Sequence, residues 1–231
     1  MSNNCSKVAA LILAAGSGSR MRSDTTKQRM KLEGKSVLWH TVRAFSECPD
    51  IDYIIAVCRE DEIEEFDREL SCDFKKLVSL TVGGKNRAES ARLGFSAIPE
   101  DSAYVAIHDG ARCLITPEMI TSVVNSAKKY GAASAVSKVS ATLKVCGEEG
   151  FILSTLPREN AYFAETPQIF EAEKYRRALA SCESTTEITD DNMLLEAIGE
   201  KVYWVDVGSG NLKITTPEDI AYAEYIIKRR K

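Results

Sequence analysis

Four times within the first 131 residues, a short continuous apolar run hands over to a segment with helical spacing. The pairs are VAALILAAG with SVLWHTVRAF, DYIIAVC with EDEIEEFDREL, KLVSLTV with NRAESARLGFSAI, and AYVAIH with PEMITSVVNSAKKYG. A strand that is apolar all round must be covered on both faces, and one amphipathic helix covers only one of them. The repeat therefore predicts an α/β domain built on a doubly wound, mostly parallel sheet.

The pattern changes after Ala135. SKVSATLKV and FILSTLP alternate by two around a GEEG turn, which predicts a projecting β-hairpin arm over residues 138–157. Such a hairpin is marginal alone, so Val139, Leu143, Val145, Ile152 and Leu156 are expected to need a partner surface. Helical spacing returns in EAEKYRRALASC and TDDNMLLEAIG, before a strand KVYWVDV, a loop GSGNLKITT and a last helix with Pro217 in its first turn. No repeat, low-complexity tract or linker divides the chain, and residues 1–231 read as a single domain with one core.

Ligands of doubly wound sheets sit beyond the carboxyl ends of the strands. The first such end is Gly16-Ser-Gly18, and the stretch after it is crowded with Arg20, Arg22, Lys27, Arg29, Lys31 and Lys35 against only Asp24 and Glu33. The whole chain carries a net charge of −4, so this is a local anion site and not a surface that tracks a nucleic-acid backbone. Two familiar phosphate motifs fail here. Met21 stands where the dinucleotide fingerprint needs its third glycine, and Arg29 stands where a P-loop ending in Gly34-Lys35-Ser36 needs its first. What remains is a glycine turn that presents backbone N–H groups, with Arg20 and Lys27 adding charge.

Two other strand ends carry polar clusters. HDGAR brings Asp109, suited to a metal or a sugar hydroxyl, and Arg112, suited to a phosphate clamp. VGGKNRAES brings Gly83 and Gly84 for close backbone approach, followed by Arg87 and Ser90 on the first turns of a helix. Seven cysteines without a C-x-x-C pair fit neither a disulfide framework nor a structural zinc site, and point to a reducing cytoplasm. VAALILAA is long enough for the core of an export signal, but the MSNNCS ahead of it is polar. No stretch approaches the ~20 apolar residues of a membrane span.

The set LAAGSGSRM, Lys27-Gln28, GGKNRAES, HDGAR, ETPQIF, TEITDD and GNLKITTPED, in this order over nearly the whole chain, resembles the 2-C-methyl-D-erythritol 4-phosphate cytidylyltransferase family of isoprenoid biosynthesis. The resemblance implies a Rossmann-like nucleotidyltransferase fold and transfer of CMP from CTP to a sugar-alcohol phosphate, with Mg²⁺ and release of pyrophosphate. It also implies a homodimer joined through the arm. Carried over by position, it makes Arg20 and Lys27 the groups at the pentacoordinate phosphorus, and Arg158 and Lys213 those that hold the acceptor phosphate. Ala14, Ala15, Gly16, Gly18, Gly84, Lys85, Arg87 and Ser90 are then nucleotide-binding. Asp109, Arg112, Thr142, Thr166 and Thr189 meet the acceptor, with Asp109 also at the metal. The chain departs from the family's usual residues at Thr26, Arg29, Cys113, Ala141 and Glu165. Two alternatives stand beside this reading: a ribitol-5-phosphate cytidylyltransferase, for which an AGG glycine loop is more typical than AAG, and a nucleotide-binding regulator without turnover.

Overall fold

The computed structural model describes residues 6–16, 26–181 and 188–230. Its strands are β1 (Lys7–Leu13), β2 (Lys31–Leu32), β3 (Lys35–Ser36), β4 (Tyr53–Cys58), β5 (Leu77–Val82), β6 (Ser102–Asp109), β7 (Ala132–Lys138), β8 (Leu143–Cys146), β9 (Ile152–Leu156), β10 (Tyr162–Glu171) and β11 (Tyr203–Asp206). The helices are α1 (Val37–Glu47), α2 (Ile63–Leu70), α3 (Arg87–Phe95), α4 (Pro117–Tyr130), α5 (Ala172–Ser181), α6 (Asn192–Ala197) and α7 (Pro217–Arg229). Seven strands form the central sheet in the order β11-β7-β10-β6-β1-β4-β5. All its pairings are parallel except those of β10, which runs antiparallel to both β6 and β7.

The apolar runs of β1, β4 and β6 are buried on two faces, as the pattern requires, whereas β5 is an edge strand that leaves Val78 and Val82 exposed. On β1, Val8, Ala10 and Ile12 pack with Leu38 and Phe45 of α1, Phe66 of α2 and Val123 of α4. The alternate residues Ala9, Leu11 and Leu13 pack on the opposite face with Ala91 and Phe95 of α3 and Tyr175 and Leu179 of α5. Each large apolar side chain withdrawn from water contributes roughly 1.5–3 kcal/mol, so these two layers dominate the stability of the sheet. A third cluster joins α7 to the front loops through Leu114, Ile214, Ala223 and Ile227. It matters for function because the Ile214 N–H donates to the Ala111 carbonyl at 2.8 Å, which pins the loop that carries Lys213 beside the end of β6.

Two central strands, β7 and β10, are not evident from periodicity. AASAVSK is small and alanine-rich, and it is almost wholly buried between neighbours on both sides. Strand β10 contains Pro167, which cannot donate to a ladder; it sits where pairing with β7 is interrupted between Ala164 and Gln168. The expected hairpin is present as a separate two-stranded sheet, with Leu143 opposite Leu156 and Val145 opposite Ser154. Its boundaries and its surface differ from expectation. Ser137 and Lys138 close β7, and Val139 is buried within its own chain, so the uncovered apolar residues are Val145, Phe151, Ile152, Leu153 and Leu156.

Candidate active site

The carboxyl ends of β1, β4, β5 and β6 open into one cleft of about 910 Å³. Ala15 and Gly16 enter it from β1, Lys27 and Gln28 from the following loop, Arg59 to Asp61 from β4, Gly84 to Arg87 from β5, Asp109 from β6, and Lys213 from the loop before α7. Gly83 explains how the first and third strand ends can meet. A Cβ built there would collide with the Ala15 side chain and stand 3.0 Å from Ser90 Oγ, so only glycine allows the approach. Gly18 and Arg20 lie outside the described residues.

The loop into α3 is organised by its own side chains. Asn86 caps the helix by accepting the Glu89 N–H at 2.8 Å. Ser90 Oγ accepts the Gly84 N–H at 3.0 Å and donates to the Asn86 carbonyl at 2.8 Å, while Glu89 accepts the Lys85 N–H at 2.7 Å. The amides of Gly84 and Lys85 are therefore engaged within the loop. Ser90 is buried and acts here as a loop builder.

The floor of the cleft is a charge cluster centred on Asp109. Its carboxylate lies 2.8 Å from Lys213 Nζ, 3.5 Å from Arg112 Nε and 3.6 Å from Arg87 Nε. Burial pushes the Asp109 carboxyl up, but the charges of Lys213 and Arg87 outweigh it and hold the group well below the usual carboxylate range. Arg87 in turn pairs with the buried Asp191 at 2.6 Å. Burial opposes the guanidinium charge, and Asp191 and Asp109 more than restore it.

Behind the cluster stands a layer of buried polar residues that orients it. The Asp109 N–H donates to Thr166 Oγ1 at 3.0 Å, and Thr166 Oγ1 lies 3.0 Å from His108 Nδ1. His108 Nε2 lies 3.3 Å from the Arg112 carbonyl, which can only accept, so the proton belongs on Nε2 and the Thr166 hydroxyl donates to Nδ1. Complete burial pushes the imidazole down to about 3, which keeps this tautomer neutral. Glu165 accepts from Ser137 Oγ at 2.6 Å and from Asn211 Nδ2 at 2.8 Å, and lies 3.7 Å from Arg112 Nη1. Arg112 also donates to the Asn211 carbonyl at 2.9 Å. Tyr175 donates to Asp191 at 2.7 Å, and the Asp191 N–H donates to Gln168 Oε1 at 2.8 Å.

A second, smaller cavity of about 250 Å³ adjoins the cleft and shares Arg87, Asp109 and Lys213 with it. Arg112, Thr166 and Thr189 also line it, together with the carboxylates Glu165 and Asp190, so the structure gathers these expected acceptor residues at one place. Thr189 is exposed and directs its hydroxyl to Met193 Sδ at 3.2 Å. Thr142 and Arg158 belong to neither cavity. Thr142 is exposed, and Arg158 donates to the Ser140 carbonyl at 2.5 Å at the base of the hairpin. Cys113 packs into the third apolar cluster, where burial pushes its thiol up to about 12 and removes it as a nucleophile.

A glycine-lined cleft floored by cations, at the carboxyl edge of a mixed doubly wound sheet, defines a nucleotide-binding α/β enzyme of the nucleotidyltransferase class. The chain belongs to the 2-C-methyl-D-erythritol 4-phosphate cytidylyltransferase family, whose model matches residues 8–229. A 2-C-methyl-D-erythritol 4-phosphate cytidylyltransferase of Clostridium novyi (strain NT) is 38% identical over 239 residues, covering 100% of this chain and 99% of its own. That of Clostridium perfringens (strain SM101 / Type A) is 37% identical over 224 residues, covering 96% and 99%. The crystal structure of 4-diphosphocytidyl-2C-methyl-D-erythritol synthase from Anaerococcus prevotii DSM 20548 superposes with a TM-score of 0.86 at 29% identity, covering 98% of each chain. The cytidylyltransferase from Thermus thermophilus superposes at 0.79 with 26% identity, over 96% of this chain and 99% of that one.

Proposed function

We propose that this chain transfers the cytidylyl group of CTP to 2-C-methyl-D-erythritol 4-phosphate and releases pyrophosphate. One observation carries the reading: a nucleotide-sized cleft and a smaller cavity lined by cations and carboxylates share Asp109, Arg87 and Lys213 at their junction. Two phosphorylated substrates seated in them meet at that junction.

In the reaction, an oxygen of the acceptor phosphate forms a bond to the α-phosphorus of CTP, and the bond from that phosphorus to the pyrophosphate breaks. The electron pair leaves on pyrophosphate. Two anions must be brought together, so the work is positioning and charge neutralisation, and no nucleophilic side chain is needed. Lys27, with Arg20, neutralises the five-coordinate phosphorus. Lys213 and Arg158 hold the attacking phosphate, and Asp109 fixes Lys213 where both cavities open. The acceptor phosphate is already ionised at neutral pH, so neither His108 nor Asp109 has to remove a proton. With the Gly84 and Lys85 amides engaged in the loop, recognition of cytosine falls to their carbonyls, aided by the small Ala14 and Ala15.

We also propose Mg²⁺ as the cofactor. Among the described residues no group of three or more His, Cys, Asp or Glu could cage a metal. Asp109 at the cleft floor fits an ion held by the substrate phosphates, water and a single carboxylate, which is how magnesium usually binds in phosphoryl-transfer sites. When bound, it would neutralise charge on the triphosphate.

The exposed apolar side chains of the hairpin support a homodimer in which Arg158 serves the neighbouring subunit's site. No helix among the described residues is long and apolar enough to cross a membrane. The described cysteines are free thiols, in keeping with a reducing cytoplasm. Pyrophosphate release from CTP tests the assignment. Release should require 2-C-methyl-D-erythritol 4-phosphate; release with ribitol 5-phosphate alone would move the chain to the other acceptor, and none with either would refute transfer.

A further inference from the structure

The segment that carries Lys27 is laced to the acidic side of α2. Thr26 Oγ1 donates to Glu62 Oε1 at 2.5 Å, Arg29 pairs with Glu65 at 2.6 Å, Lys31 with Glu69 at 3.0 Å, and Lys35 with Asp73 at 3.1 Å. The acidic partners fall at spacings of three, four and four, which keeps them on one side of the helix and its flanking turns. The ties are unequal. The three ion pairs each involve a cation at least 38% exposed, where such pairs contribute roughly 0–1 kcal/mol. Glu62 is 1% exposed, so the hydroxyl that donates to its Oε1 cannot be replaced cheaply by water, all the more as its Oε2 has no hydrogen-bond partner among the described residues.

The buried tie also sits at a particular place. Thr26 immediately precedes Lys27 and Gln28, which form one lip of the nucleotide cleft, and Glu62 immediately follows Arg59, Glu60 and Asp61, which form another. The same strand of chain continues by turning on itself, with the Arg29 N–H donating to the Thr26 carbonyl at 3.0 Å and the Leu38 N–H to the Gln28 carbonyl at 3.2 Å. Holding Thr26 therefore fixes the origin of the Lys27 side chain.

We infer that Thr26 and Glu62 form a positioning latch that joins the two lips of the cleft and sets Lys27 for the transition state. Neither residue touches the reacting atoms. The inference rests on the role given to Lys27 above. A displacement of a charged group by about an ångström costs turnover while leaving ground-state binding of a multiply held nucleotide nearly intact.

The test compares Thr26→Val, Thr26→Ser, Glu62→Ala, Glu62→Gln and Lys27→Ala in steady-state pyrophosphate release, with thermal melting alongside. Thr26→Val and Glu62→Ala should each lower kcat about tenfold with little change in KM for CTP. The double variant should lose no more than the worse single one. Thr26→Ser and Glu62→Gln keep the donor and the acceptor and should retain near-normal kcat. A Thr26→Val protein that folds and turns over normally overturns the latch, whatever becomes of Glu62→Ala. If Lys27→Ala is severely impaired in that same experiment, the latch alone fails; if Lys27→Ala is also normal, the role of Lys27 fails with it.

Discussion

Lys213 Nζ stands 2.8 Å from Asp109 Oδ2, at the one place where the nucleotide cleft and the smaller cavity meet. The cation to which the proposed function gives the incoming phosphate is thus itself held by a carboxylate, which Arg87 and Arg112 also flank. This arrangement sets what Asp109 can do. Its carboxyl is held well below the usual carboxylate range by Lys213 and Arg87, which suits the charge-orienting role proposed for it better than that of a titrating base.

Asp109→Asn should therefore lower turnover by about 10²-fold, the order of losing one preorganised charge contact, without removing the acidic limb of the pH–rate profile. The sign for stability follows from its depressed pKa. The folded carboxyl binds fewer protons than the unfolded one, so the contribution is complete at neutral pH. It is lost only as pH falls from the unfolded value of about 3.9 toward the lower folded value. A profile whose acidic limb vanishes in the variant would restore a general-base role.

His108 gives a different pH window. Its folded imidazole is held down to about 3 by burial, against about 6.5 when unfolded. Between those values the unfolded chain takes a proton that the folded chain refuses, so wild-type stability should fall as pH drops below about 6.5. Replacing His108 by Asn should cost stability at pH 8 through Thr166, yet flatten the decline between pH 7 and 5. Melting curves of both proteins across that range check this, and parallel slopes would sink it.

Much of this site was legible because chemistry and position coincide in the sequence. Gly16, Lys27, Gly84, Asp109 and Lys213 all follow predicted strands or stand in loops, and the fold brings them to one sheet edge. The orienting layer was not legible in the same way. Glu165 and Gln168 flank the Thr166-Pro167 pair, and a proline argues against a central strand, so β10 and the inward direction of its side chains are set by tertiary pairing with β6 and β7. His108 and Asp191 lie inside recognised motifs, but a lone polar residue beside an apolar run gives no sign of its depth. Their roles come from Thr166 and Arg87, residues 58 and 104 positions away along the chain.

The two lysines should separate kinetically. Lys27→Ala should lower kcat by about 10²–10³-fold if, as proposed, its charge serves mainly the five-coordinate phosphorus. Lys213→Ala should raise KM for the acceptor phosphate as well, since it lines the smaller cavity. Initial rates with each substrate varied in turn distinguish the two, and a Lys213 variant with unchanged acceptor KM would remove it from that cavity.

Nucleotide choice is the next test of the proposed function. Gly83 packs against Ala15 so tightly that a methyl group has no room, which holds the β1 and β5 ends together at the rim of the cleft. If the base is read by backbone groups of these two ends, CTP should be used far better than ATP or GTP, because such a site excludes purines by size. Equal turnover with ATP would end the cytosine assignment.

Arg158 offers the sharpest test of assembly. It lies at the foot of the hairpin, outside the nucleotide cleft and the smaller cavity beside it, and the hairpin leaves Phe151, Ile152 and Leu153 uncovered. If two hairpins clasp in a two-fold dimer, Arg158 acts in the neighbour's site. Lys27→Ala and Arg158→Ala proteins, each inactive alone, are then mixed and allowed to exchange subunits. In each mixed dimer one site carries both lesions, while the other combines an intact Lys27 with the partner's intact Arg158. Random assortment makes half the dimers mixed, so about a quarter of normal activity should return. If Arg158 served its own chain, every site would still lack one charge, and a mixture that stays inactive after demonstrated exchange would refute the shared site.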